Sequence, residues 1–174
     1  MSQSYNTIEE DEPIKPTNEQ QKCSCPCLVA ALAAVTVITI NSVSLATPAW
    51  IQSYSVNAGL WHICYSGGCH DYTSVQAYIK VVRGFLISSI VFVTITTIWS
   101  LIGICRHKSN LRKIGQSLGI LFFFACVANT VSAGVFTTWY PMETGQSFGY
   151  SYILTWVASG ICFLSGIYSF AASY

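Results

Sequence analysis

Charge is what this chain has least of. Only 9% of its 174 residues are Asp, Glu, Lys or Arg, against roughly a quarter in soluble domains, while 52% are hydrophobic. That composition excludes an ordinary water-exposed surface. A formal net charge of +1 also excludes the electrostatic footprint of a nucleic-acid binder. No Asp, Glu, Lys or Arg falls within 23–70, 84–105, 114–142 or 144–174, so nothing marks a proton relay or ion pathway through those stretches. The stretches do not break into short alternating segments, which excludes a membrane β-barrel.

What is there is four long apolar runs with charge only between them. Seven charges lie between Glu9 and Lys22, then come Asp71, Lys80 and Arg83, then Arg106, Lys108, Arg112 and Lys113, and finally Glu143. A helix needs about 20 apolar residues to cross the hydrocarbon core. The expected spans are 28–46, 84–105, 114–138 and 150–171. They use nearly all of the apolar material, so no separate soluble core is expected. The basic cluster between spans two and three marks a cytosolic loop, 106–113, because short positive loops stay inside. Both termini are then cytosolic, and loops 47–83 and 139–149 lie outside. Ser44-Leu45-Ala46 resembles a signal-peptidase site, but the preceding tail is long and acidic and the apolar run exceeds a signal core.

Residues 1–22 are polar and Pro-containing, and the tail 1–27 is read as disordered with a juxtamembrane cysteine cluster at its end. Cys23, Cys25, Cys27 and, at the far end of span two, Cys105 are candidates for S-acylation; free cytosolic thiols are the plainer reading. Cys23-Ser24-Cys25-Pro26-Cys27 has no second Cys or His cluster on its side of the bilayer, so no metal is expected. Small residues recur at four-residue spacing in Ala30/Ala34, Gly115/Gly119 and Cys162/Gly166, which lets helices approach closely; packing within the bundle is favoured over a dimer face. Asn41, Gln116 and Asn129 are expected to make interhelical hydrogen bonds.

The segment 47–80 reads as strands. Residues 50–56 alternate, Asn57-Ala58-Gly59 is a turn signal, Leu60 to Cys64 is a second strand, and Cys69 opens a third. A two-residue loop at Ser66-Gly67 puts Tyr65 opposite Gly68 and Cys64 opposite Cys69. That pair occupies a non-hydrogen-bonded site, where Cα atoms approach to about 4.5 Å, at the short end of the disulfide range. Both cysteines face the oxidising side. Trp50 and Trp61 are either interface anchors or core of the small sheet. His62, His70 and Asp71 could be cast as an acid–base or metal cluster, but no span supplies an ionisable partner.

Trp50, then Gly59-Leu60-Trp61 and the pair Cys64 and Cys69, with Arg83 at the mouth of span two, resembles the signature of the claudin-like superfamily, which includes peripheral myelin, epithelial membrane and lens fibre membrane proteins. The run Phe148-Gly149-Tyr150-Ser151-Tyr152-Ile153-Leu154 and the short cysteine spacing are more similar to the epithelial membrane and lens fibre branch. The resemblance implies an all-α membrane fold. It would be a left-handed four-transmembrane-helix bundle capped by a small extracellular antiparallel β-sheet, with a Cys64–Cys69 disulfide and one strand from the second loop. Two features depart from claudins: Trp50 and Gly59 are closer together, and Asp71 is the sole acid in the first loop.

The function so implied is non-enzymatic: organising cell–cell contacts or membrane architecture at the plasma membrane through the extracellular sheet and lateral self-association. No catalytic residue, cofactor or small-molecule substrate is expected. The partners would be the lipid bilayer and either further copies or other tetraspan and junction proteins, in cis and in trans. The alternative is an auxiliary subunit of an ion channel or receptor. Arg83 either snorkels to the headgroups or ties span two to the outer sheet through carbonyls or Asp71.

Overall fold

The computed structural model describes residues 18–105, 111–141 and 144–173. Four helices dominate: α1 Asn18–Ala46, α2 Ala77–Cys105, α3 Leu111–Trp139 and α4 Tyr150–Ala171. Each is long and apolar enough to cross a bilayer. Connected in sequence, they form a ring in which α1 packs on α2 and α4, and α3 on α2 and α4.

Small residues make up most of the bundle interior, packed around Leu118 and Phe122. Ala30, Ala34, Val37, Ala125, Ala158 and Cys162 are buried, while Leu32, Ile98, Phe123 and Leu164 face outward. Small inward residues bring backbones together, so dispersion accumulates where no hydrophobic drive exists. Gly115 and Gly119 belong to this packing. A Cβ on Gly119 would stand 2.7 Å from the Phe170 ring, and one on Gly115 would stand 2.9 Å from Ser173. The glycine pair is spent on α4.

Three expectations need correction. The tail 1–27 is not wholly without structure, because α1 starts at Asn18. Glu19, Gln20, Gln21 and Lys22 are good helix formers and carry the helix about two turns beyond the span Pro26–Ala46. Residues 1–17 lie outside the described residues. Helix α2 begins at Ala77, about two turns before Gly84, so Lys80 and Arg83 ride on the helix rather than in the loop. Asn129, fully buried, has no hydrogen-bond partner for either amide atom among the described residues. Asn41 donates to Ser89 at 3.1 Å, and Gln116 is half-buried.

A five-stranded antiparallel sheet caps one end of the bundle, in the order β4-β3-β2-β1-β5. The strands are β1 Ile51–Gln52, β2 Val56–Ala58, β3 His62–Tyr65, β4 Gly68–Asp71 and β5 Ser147–Phe148. The stretch 50–56 is therefore two strands, not one, and Asn57 and Ala58 belong to β2 rather than to a turn. The Ser53 N–H reaches Val56 O at 2.9 Å, and the Gly59 N–H reaches His62 O at 2.9 Å. The chain thus reverses at Tyr54-Ser55, at Leu60-Trp61 and at Ser66-Gly67. Ile51 and Leu60 are buried between this sheet and Ile79, Val82 and Phe136 of the bundle.

Candidate functional site

The residues picked out from the first loop converge on the seam between sheet and bundle. Helix α1 ends against Pro48, which has no N–H. The carbonyl of Ser44, four residues earlier, therefore loses its helical donor. The Trp50 indole Nε1–H supplies it at 2.8 Å. Trp50 is fully buried, its ring centroid 4.8 Å from that of Phe136 and 6.2 Å from that of Tyr152. Its backbone is spoken for as well, since its N–H donates to Ala58 O and its carbonyl accepts from the Gly149 N–H, both at 2.9 Å. Trp50 is core, not an interface anchor.

Close backbone approach explains two glycines. A Cβ on Gly59 would lie 2.4 Å from Pro48 Cα and 2.7 Å from Thr47 O. A Cβ on Gly149 would lie 2.1 Å from Ala49 O. The same Ala49 carbonyl accepts the Ser151 N–H at 3.1 Å, satisfying one of the orphan donors of the first turn of α4. Hydroxyls complete this corner: Ser44 Oγ donates to Ser151 O at 2.7 Å, and the hydroxyls of Thr47 and Ser151 lie 2.6 Å apart.

The turn after Gly59 is held from α2. Arg83 Nε donates to Leu60 O at 3.0 Å, and Nη2 donates to the same oxygen. The guanidinium also lies 4.1 Å over the Trp61 ring, a cation–π contact. The tie runs through a carbonyl, not through Asp71. Asp71 Oδ1 instead lies 2.5 Å from His62 Nδ1, its cross-strand neighbour. Tyr72 donates its hydroxyl to Gly59 O at 2.8 Å. Burial, with Tyr140 and Tyr78 alongside, pushes that hydroxyl up to about 12.

The disulfide joins Cys64 and Cys69 in the register argued from loop length, with Tyr65 opposite Gly68 and a Cα separation of 4.0 Å. His70 pairs with Ile63, one residue out of phase with Asp71, so His62 and His70 project from opposite faces of the hairpin. Among the described residues no group of His, Cys, Asp or Glu comes together to hold a metal.

Residues 25–169 match the PMP-22/EMP/MP20/Claudin family. The chain belongs to this family. The PMP-22/EMP/MP20/Claudin relatives it resembles include epithelial membrane protein 1 of Oryctolagus cuniculus, 30% identical over 151 residues that cover 80% of this chain and 93% of the relative. Lens fiber membrane intrinsic protein of Bos taurus is 31% identical over 140 residues, covering 75% and 81%. Epithelial membrane protein 2 of Bos taurus is 27% identical over 164 residues, covering 80% and 95%. Like other members of the PMP-22/EMP/MP20/Claudin family, the chain is a tetraspan membrane protein with a disulfide-bearing sheet.

One candidate modification site is revised. Cys27 is only 4% exposed, and its Sγ would stand 3.0 Å from a Cβ added at Gly103 of α2. A thiol packed into the helix interface is not presented for S-acylation. The side chains of Cys23, Cys25 and Cys105 lie outside the described residues.

The seam's main parts missed from sequence were Pro48 and Ser44. A proline four residues after a span serine, and a tryptophan two residues further on, was the available signal.

Proposed function

We propose that this protein is a non-enzymatic organiser of cell–cell contacts or membrane architecture, sited at the plasma membrane with both termini and loop 106–113 cytosolic. The observation that carries this reading is the free end of the sheet. Alternating reversals put the turns Tyr54-Ser55 and Ser66-Gly67 at the same end, away from the Leu60-Trp61 turn that Arg83 holds. Tyr54 is fully exposed there, Tyr65 is half-exposed, and 53–70 contains no Asp, Glu, Lys or Arg. An uncharged aromatic tip on a disulfide-locked sheet suits contact between like surfaces, where aromatics contribute large area at low entropic cost.

The test is to image tagged protein in touching and separated cells, alongside the double variant Tyr54→Ser, Tyr65→Ser. Enrichment at contacts by the native chain, lost in the variant with surface delivery intact, is expected. Even distribution of the native chain, with no self-association in split-reporter assays, would overturn it.

A second reading, an auxiliary subunit of a channel or receptor, is favoured by one feature. Among the described residues, Gly84, Gly134 and Gly160 have nothing within 4 Å of where a Cβ would stand, leaving notches where a partner helix could lie close. Co-purification of a stoichiometric large membrane protein without self-assembly would select it.

A further inference from the structure

A pocket of about 330 Å³ opens where the Leu60-Trp61 turn meets the start of α2, lined by Trp61, His62, Asp71, Tyr72, Val75 and Arg83. We propose that it binds the zwitterionic phosphocholine headgroup of a membrane lipid.

Depth is the first reason. Arg83 is the last charge on α2 before the uncharged stretch 84–105, so its guanidinium stands where hydrocarbon gives way to headgroups. Trp61 beside it is a residue type that favours that level.

Charge is the second. Nε and Nη2 of Arg83 are engaged by Leu60 O, which fixes the guanidinium and leaves the Nη1 donors without a partner among the described residues. A phosphate oxygen is the natural acceptor for them. The same pocket carries Asp71, whose side chain is 83% exposed and whose Oδ1 alone is taken, by His62. That carboxylate, with the ring of Tyr72 beside it, supplies what a quaternary ammonium binds.

Other ligand classes use the pocket less well. An anion without a cationic partner meets Asp71. A metal ion meets Arg83 and finds only His62 and Asp71 as donors, short of a coordination shell. A neutral sugar uses neither charge. Only a ligand with both signs is matched by both charges.

The full chain, purified in a maltoside detergent with equal amounts of phosphatidylcholine and phosphatidylglycerol, would be examined by native mass spectrometry. One phosphatidylcholine retained several-fold over phosphatidylglycerol is expected. Asp71→Asn, at an exposed position where the amide oxygen can still accept from His62, should abolish or invert that preference with little change in thermal stability. Arg83→Lys should weaken retention of both lipids. Equal retention of the two lipids by the native chain, or a preference untouched by Asp71→Asn, would overturn the proposal. So would displacement of the lipid by soluble glycerophosphocholine at matched concentration, because it would assign the pocket to a free phosphocholine compound. Failure of soluble glycerophosphocholine to compete is the expected result.

Discussion

Pro48, Ser44 and Trp50 show how one missing hydrogen atom shapes a loop. Pro48 cannot answer the Ser44 carbonyl, and at a buried corner an orphaned acceptor costs about 1–3 kcal/mol. Trp50→Phe keeps the aromatic packing on Phe136 and removes only the indole donor. We expect a loss of that order in thermal or denaturant unfolding, smaller when Pro48→Ala restores a backbone N–H. Equal losses in both backgrounds would refute the link. Gly59 acts by a different cause, since its Cβ would strike Pro48 backbone rather than a movable side chain. Gly59→Ala should destabilise by about 3 kcal/mol, the upper range for overpacking. Gly84→Ala, where a Cβ meets nothing within 4 Å among the described residues, is the control and should be neutral or stabilising by up to about 1 kcal/mol, since Ala is the better helix former.

Among the elements, the sheet repeats one unit. Its first three reversals, at Tyr54-Ser55, Leu60-Trp61 and Ser66-Gly67, each take the middle of a six-residue step, so the strands can be only a few residues long. Strands this short need clamps, and the disulfide is one. It closes a small loop, so its removal should cost less than the roughly 3 kcal/mol expected for a fifteen-residue loop. Replacing Cys64 and Cys69 by serine should speed amide exchange in β3 and β4 and leave the four helices unchanged. Exchange rising equally in α1 and α4 would mean the bond supports the whole molecule. Tyr72 is a second clamp and gives a pH signature. Its pKa is raised from 10.0 to about 12 in the fold, so the protonated form is favoured there. Its contribution is complete below pH 10 and is lost as pH rises towards 12. Tyr72→Phe should remove that part of the alkaline decline in melting temperature.

At the scale of the whole molecule, much of the fold is legible in the sequence. The spacing of fifteen charges divides the apolar material into helices, and loop length alone sets Cys64 opposite Cys69. Where the reading failed, tertiary contacts decide. Ser53-Tyr54-Ser55 carries no Gly, Pro or Asn, so nothing local announces a reversal between β1 and β2; pairing of Ile51 with both Ala58 and Phe148 imposes it. Two residues are too few for β5 to show a period of its own, and only the family resemblance pointed to a strand there. The burial of Cys27 depends on Gly103, distant in sequence and adjacent in space. Orientation is testable at this scale. A membrane-impermeant amine reagent applied to intact cells should label Lys80 and spare Lys113, both exposed on their helices. The reverse pattern would invert the molecule and remove the proposed contact role.

The last two strands in the sheet order, β1 and the edge strand β5, are continuations of helices. Strand β1 follows directly from α1 by way of Pro48 and Ala49, and β5 leads straight into α4 through Gly149. Traction arriving at Tyr54 would therefore be split between two membrane anchors by backbone bonds loaded in shear, with no flexible stalk between grip and root. A protein made this way would resist being peeled from its bilayer as strongly as its pair of helices resists being drawn out together.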